Sequence, residues 1–429
     1  MLRAIHIRNF RMLADNYVQL PSNFHVLVGR NGTAKTTFLS AIDLVASVIR
    51  GGAKDALAEF ADSFTDLCFV PTESRVSIAI EFEVPAPVRT GEPRETSDIA
   101  QVASTPVQFR YELELGLGPE GKSGLRVLHE GLFKLPNDVQ RLPNLSGKDA
   151  SKHPVIHAIT SPPRNWTPLL GKVLDGRAHF ITSPEGERTA WRPRLEHSAF
   201  ATLPEAEGYE LHWLAHEHLA NRPQVVSLDL RRLKEPCIPT ASSSFYGDGS
   251  NLPKVLQNFK QSDPVLYELW ERHVSQAVEG LCSIGVHEDP RTKFLSVVAN
   301  FDGLHDQPVP AALLSEGTLK LIGLTLLGFL PSDAHPRLYM IEQPEDGLHP
   351  LAMETVVSAL TEPSSEAQVL LSSHSPVLLA QVALEQVLVF QRAPEGYAVI
   401  CHGHELPVLK DWQERGVDMA HLLASGILS

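Results

Sequence analysis

Gly29-Arg30-Asn31-Gly32-Thr33-Ala34-Lys35-Thr36 sets two glycines, a lysine and a hydroxyl at the spacing of the phosphate-loop pattern G-x-x-x-x-G-K-[ST], with Ala34 in place of the second glycine. The chemistry of such a loop is anion capture. Backbone N–H groups from Gly29 through Thr37 curl around phosphate oxygens, and the following helix adds its positive dipole end. Lys35 reaches the β- and γ-phosphates of a nucleoside triphosphate, and Thr36 holds Mg²⁺. Gly29 and Gly32 remain for the tight turn. Ala34 supplies its N–H as glycine would, provided φ is negative there, as expected at a helix start.

A second set of chemistry-bearing residues lies far along the chain. Leu314-Ser315-Glu316-Gly317-Thr318 precedes a helix expected from Leu319, and Ser315 and Gly317 offer hydroxyl and N–H donors to phosphate oxygens. Arg337–Ile341 (RLYMI) reads as a hydrophobic strand running into Glu342-Gln343-Pro344-Glu345. A carboxylate at a strand end is what Mg²⁺ on a phosphate loop needs on its far side, and Glu342 fits that place. A polar residue just beyond it positions an attacking water, and His374, after the strand residues Val369-Leu370-Leu371, is placed to sense a γ-phosphate. Singly, each has a plain alternative: a solvated strand-end cap for the acid, a structural role for the histidine. Their order along one chain is what points to a shared site.

The elements that must position these residues follow from periodicity. Ala4–Phe10 alternates as a half-buried strand, and Asn23–Gly29 is a strand running directly into the loop, after which FLSAIDLVASVI has helical spacing. Strand, glycine loop, helix is the order of an α/β nucleotide site. Val76–Val84 and Val107–Leu117 alternate strictly, which predicts an antiparallel sheet packed on one side. Pro85 to Pro106 is rich in Pro, Thr and Ser and reads as loop, and 135–206 is punctuated by prolines. From Gly208 to Val286 the pattern is helical, notably at Asn251–Asn258 and Pro264–Leu281. Strand character returns at Phe294–Phe301 and Gln368–Leu371. Leu321–Leu330, the longest apolar run, carries two glycines and a threonine and reads as a buried helix.

With these segments in place the sequence resembles the ABC-type ATPase heads of the SMC/RecF/OLD group, most closely the small AAA-type ATPases of the OLD-like branch without a Toprim nuclease domain. The resemblance rests on NFRML (Asn9–Leu13), GRNGTAKTT (Gly29–Thr37), LLSEGTLKL (Leu313–Leu321), IEQPEDGLHP (Ile341–Pro350) and SSHSP (Ser372–Pro376). GDGSNLPKVL (Gly247–Leu256) and the tail LKDWQERGVDMAHLLASGIL are also similar to segments of that branch, while 86–206 match poorly. The resemblance implies an α/β P-loop NTPase with an ABC/SMC-like head, a mixed sheet plus an antiparallel subsheet, and an inserted, largely helical domain. Residues 1–134 and 291–429 would form the two parts of the head and 135–290 the insertion, mostly helical after 208. It further implies that Lys35 and Thr36 bind ATP and Mg²⁺, that Glu342 is the Walker B acid, and that His374 is the switch histidine. Ser315 and Gly317 would form the signature that acts in trans, so that two heads sandwich two ATPs in a homodimer with Leu348-His349-Pro350 at the seam. DNA, or a separately encoded effector protein, is the partner such heads commonly serve, in genome maintenance or defence against phage.

One departure matters. The family's water-polarising glutamate follows the Walker B acid, and here that residue is Gln343. An amide orients water but takes no proton, and losing a general base costs ~10²–10⁴-fold. Slow hydrolysis and a long-lived ATP dimer are expected, unless Glu345 or His374 substitutes as base. A hydrolysis-weak ATP-binding scaffold is the runner-up.

Composition bounds the rest. The 429 residues carry 37 Lys+Arg against 51 Asp+Glu, a net charge of −14 that argues against a general nucleic-acid coat while leaving room for a local basic groove. No apolar run approaches the ~18 residues of a membrane span, and the N-terminus lacks a signal-peptide layout, so no membrane association and a cytoplasmic location are expected. Cys68, Cys237, Cys282 and Cys401 show no CxxC spacing. His212 and His216 stand at i, i+4 but lack a third ligand, and the basic stretches Arg188–Arg194 and Arg231–Lys234 read as solvated surface. The residues after His374 show no DxD, so a Toprim nuclease is not expected in this chain. LSEGT in place of LSGGQ, with the long insertion, argues against a transporter subunit.

Overall fold

The computed structural model describes residues 1–84, 106–118, 124–139, 141, 144–146, 162–182, 188–303, 307–331, 338–361, 367–406 and 409. The Pro-rich stretch from Pro85 up to Pro106, Arg337, and the tail beyond Leu409 lie outside the described residues. The chain divides into two compact units.

One unit comprises Met1–Pro21, Arg30–Pro223 and Phe390–Cys401. Its frame is a nine-stranded sheet in the order Arg188–Trp191, Ala178–Ile181, Thr167–Lys172, Leu125–Lys134, Val107–Leu117, Arg75–Val84, Leu2–Phe10, Leu13–Gln19, Leu145–Ser146. Its pairings are antiparallel; Ile80, for instance, lies opposite both Ile5 and Tyr111. The alternating runs predicted a sheet packed on one side. The structure corrects this: the polar face is covered too, with Glu81, Arg110 and Glu112 all buried. They tolerate burial because they pair. Arg110 donates to Glu81 at 2.8 Å and to Glu112 at 2.7 Å, and His6 pairs with Asp15 at 2.8 Å. Burial pulls the Arg110 pKa down, but Glu112 and Glu81 outweigh it and hold the guanidinium charged. Removing one member of such a set leaves a buried unpaired charge, at a cost of about 3–5 kcal/mol. The 17-residue helix Lys35–Gly51 belongs to this unit, with Phe38, Leu39, Ile42, Val45 and Ile49 buried at helical spacing.

The other unit comprises Ser22–Gly29, Gln224–Val389 and His402–Ser429. Here Pro223–Val226, Leu338–Glu342, Gln368–Ser372, Phe24–Val28 and Val387–Arg392 follow one another across a sheet. The inner strands are parallel and buried on both faces, which is why they read as mostly apolar runs, with the buried His25 as an exception in Phe24–Val28. The helix Glu316–Phe329 holds the apolar run noted above as far as Phe329, with Leu330 as its C-cap. A Cβ on Gly328 would lie 2.0 Å from the Ala359 carbonyl, so that glycine admits the backbone of the helix Pro350–Leu360. Helices Leu252–Ser262 and Pro264–Ser275 and a small sheet of Leu281–Glu288, Leu295–Phe301 and Val309–Pro310 complete the unit. Among the described residues no helix is long and apolar enough to cross a membrane.

Candidate functional site

Register brings one group of candidates to a single sheet edge. Glu342 pairs with Ser372, and Ser372 pairs with Leu27, so three parallel strands end level with one another. Ser373 N–H donates to the Leu27 carbonyl at 3.1 Å, and Gly29 leaves the sheet just beyond. Ligands of parallel α/β sheets bind outside such carboxyl ends.

From Gly29 the chain enters the loop. Gly29 and Gly32 take φ 148° and 76°. Ala34 takes φ 81°, ψ 18°, the left-handed region, which corrects the expectation of a negative φ. The pattern's second glycine stands at this position because it precedes the first helical residue and turns the chain into the helix; Ala34 adopts that backbone at a cost of roughly 1–2 kcal/mol. Lys35 opens the helix, and its Nζ donates to the Arg30 carbonyl at 2.9 Å, where the Thr33 hydroxyl also donates at 2.8 Å. Both bonds cross the loop and hold it curled. The first helical turn contains no acid, so its positive end is not neutralised by its own side chains. Thr36 is exposed, Thr37 half-buried, Arg30 and Asn31 exposed. In the same unit the NFRML segment makes a turn with Asn9 and Arg11 at φ 56° and 49°. Buried Asn9 locks it by accepting from Val70 N–H and donating to the Arg75 carbonyl, each at 2.6 Å.

In the other unit Glu342 is exposed at its strand end, and Gln343 follows with φ 45°. The Gln343 N–H donates to the Ser372 carbonyl at 2.9 Å, prolonging the ladder while the backbone turns out of it. A non-glycine residue held left-handed at a strand end is the kind of local strain that collects at functional sites. Glu345 turns back toward the neighbouring strand: its Oε1 accepts from the Ser373 hydroxyl at 2.9 Å and from His374 N–H at 2.7 Å. Its Oε2 is buried and has no hydrogen-bond partner among the described residues. Glu345 thus binds the histidine loop through the Ser373 hydroxyl and one backbone N–H, an arrangement spacing alone did not reveal; the serine run before His374 was its one visible sign. His374 is half-buried.

Ser315 caps the helix Glu316–Phe329 by accepting from Thr318 N–H at 3.1 Å and is exposed, with exposed Leu313 just ahead of it. His349 caps Pro350–Leu360 and is followed by exposed Leu351. A cleft of about 250 Å³ opens beside the end of the strand Leu338–Glu342, lined by Ser227, Leu228, Lys320, Glu342, Gln343 and Asp346 among others. Lys320 was not singled out in the sequence, although it stands one helical turn from Gly317.

Several features stay outside any site. His212 is buried with Nε2 on the Leu169 carbonyl at 2.9 Å, and burial lowers its pKa and that of His216. Among the described residues no group of three or more His, Cys, Asp or Glu side chains can hold a metal ion by itself. Asp248 closes its turn by accepting from Ser250 N–H and hydroxyl. Arg231 and Arg232 are exposed.

A family model described as "AAA domain, putative AbiEii toxin, Type IV TA system" matches residues 24–380. No curated protein matches the chain. Among solved structures it is similar to an Smc head bound to the C-winged helix domain of ScpA, at 14% identity and TM-score 0.47 over 94% of this chain and 99% of that one. It is also similar to a Pyrococcus furiosus Smc head with an extended coiled coil bound to the C-terminal domain of ScpA (13%, TM-score 0.45, 96% and 98%). A third match is the SMC head domain of Thermotoga maritima (12%, TM-score 0.40, 94% and 98%). Likeness of this size identifies neither an activity nor a partner.

Proposed function

This chain belongs to that AAA-domain family, and from the membership we propose that it binds ATP with Mg²⁺ and works as a nucleotide-dependent switch. The observation that carries the reading is the level ending of Leu27, Ser372 and Glu342, with the phosphate loop leaving from the first of these strands. The residues fit the ligand. Two positive-φ glycines, a cation on the loop and a helix end without its own acids suit a polyphosphate. The orphaned Glu345 Oε2 suits an incoming donor. Mg²⁺ usually takes one or two protein groups and fills its shell with water and phosphate oxygens; Thr36 and Glu342 would serve as those groups.

On this reading Gly29 to Thr37 cradle the phosphates, Gln343 orients water, and Ser373-His374 lie beside it on the adjacent strand end. Exposed Ser315 and half-buried Gly317 are offered to the nucleotide of a second copy, so that ATP closes a homodimer and its loss releases it. Because Gln343 accepts no proton, turnover is slow and the closed state long-lived. The output is action on DNA, in maintenance or in defence against phage. A second reading, a scaffold assembling with a separately encoded toxin or nuclease, is favoured by Gln343 and by the toxin–antitoxin wording of the family description.

ATP turnover and oligomeric state measured together, on wild type, Lys35→Ala and Gln343→Glu, with and without DNA, test both. A slow switch shows ATP-dependent dimers and turnover that jumps in Gln343→Glu. A scaffold shows ATP-dependent assembly with no turnover in either. Brisk wild-type turnover abolished in Glu345→Gln or His374→Ala assigns the base elsewhere, and ATP-independent assembly removes the switch.

A further inference from the structure

Two contacts join the helix Glu316–Phe329 to the turn after Glu342. Lys320 Nζ donates to the Asp346 carbonyl. One helical turn earlier, a Cβ added to Gly317 would lie 3.2 Å from the Gly347 carbonyl, so the helix backbone and the turn are in close approach. Residues three apart share a helix face, so that face meets two successive carbonyls of one turn. The turn is closed on itself: Asp346 N–H donates to the Gln343 carbonyl at 3.2 Å and Leu348 N–H to the Glu345 carbonyl at 3.0 Å. Moving the Asp346 peptide therefore moves those of Gln343 and Glu345. Lys320 also walls the cleft beside Glu342, Gln343 and Asp346.

We propose that Lys320 is a positioning residue that ties the helix bearing Ser315 and Gly317 to the turn bearing Gln343 and Glu345. Engagement of the helix N-terminus by a second copy's nucleotide then sets the geometry of the water-orienting residue. This coupling rests on the ATP reading above; the tie itself does not. An ammonium-to-carbonyl bond is charge-assisted and directional, and the long stem lets Lys320 span the gap without fixing the helix rigidly. Methionine keeps the apolar stem and removes the donors; arginine keeps donors and charge.

The test compares the full chain with Lys320→Met, Lys320→Gln and Lys320→Arg, each checked for an unchanged circular dichroism spectrum. Amide exchange of residues 343–349 is read without nucleotide, and kcat, KM and the affinity for a fluorescent ATP analogue are read separately. In Lys320→Met we expect exchange of that turn to rise ~10-fold and kcat to fall roughly 10–100-fold as the water-orienting group is misplaced. KM and analogue affinity stay within about twofold, and Lys320→Arg recovers most of the kcat. Lys320→Gln decides the matter if the methionine variant does not fold. Unchanged exchange with unchanged kcat overturns the proposal, and so does a loss confined to nucleotide affinity, which makes Lys320 a nucleotide contact. A wild type that neither binds the analogue nor turns over ATP removes the ATP reading. Faster exchange in Lys320→Met still sustains the tie in that case, and equal exchange overturns it.

Discussion

Ala34 and Gln343 lie in different units, yet both are non-glycine residues held left-handed, Ala34 just before a helix and Gln343 just after a strand, and both depart from the motifs the sequence resembles. At residue 34 the departure is a methyl group. It is buried, it forms no hydrogen bond, and what it changes is backbone energy. At residue 343 the backbone is indifferent to the exchange, since glutamate would meet the same torsion; what changes is whether the side chain accepts a proton. The comparison teaches that one motif can be altered in its folding cost and another in its chemistry with the architecture left intact.

The sharpest way to break this contrast is Gln343→Glu. Restoring a group able to take the proton is expected to raise single-turnover phosphate release by ~10²–10⁴-fold, with the melting temperature unchanged. A rise below about threefold would mean that a base other than residue 343 already acts. Next in size is Lys35→Ala. Loss of charge-assisted contacts to phosphate should weaken ATP binding roughly 10–100-fold in a direct titration. Undiminished affinity would detach the loop from the nucleotide altogether.

Much of the fold was legible in the sequence for a physical reason. Strands buried on both faces are mostly apolar, so Phe24–Val28, Leu338–Glu342 and Gln368–Ser372 stood out despite His25 and the polar residues at their ends, and the lysine and hydroxyl after Gly32 marked the loop. Other features were hidden because they depend on distant partners. Ala178–Ile181 and Arg188–Trp191 are four-residue strands, too short for a period, and exist by pairing with each other and, for the first, with Thr167–Lys172. The burial of Glu81 and Glu112 depends on Arg110, which faces Glu81 across the ladder and stands two residues from Glu112 on its own strand, a set that alternation reads as a solvated face. Glu345's grip on Ser373 and His374 joins segments 28 and 29 residues apart. The φ of Ala34 was misread because a helix start was equated with its first helical residue, whereas the residue before it turns left-handed here.

Glu345 offers the next test. Glu345→Ala removes the acceptor from Ser373 and from the His374 N–H and should cost about 1–3 kcal/mol in denaturant unfolding. Glu345→Gln retains an acceptor oxygen and should lose less than half of that. Equal losses would show that the charge, not the hydrogen bonds, holds the histidine loop.

The smallest effect is expected at residue 34, where two effects oppose. Ala34→Gly relieves a left-handed alanine worth roughly 1–2 kcal/mol but gives the unfolded chain back about 0.4–1 kcal/mol of backbone freedom. The balance is a gain of about 0.5 kcal/mol, since the relief of strain outweighs the added freedom. Ala34→Val supplies the opposite sign, because a β-branched side chain is a genuine outlier at positive φ. Glycine should therefore raise the denaturation midpoint slightly and valine lower it clearly. If glycine lowers the midpoint and valine leaves it unmoved, residue 34 is not left-handed and its likeness to residue 343 is lost.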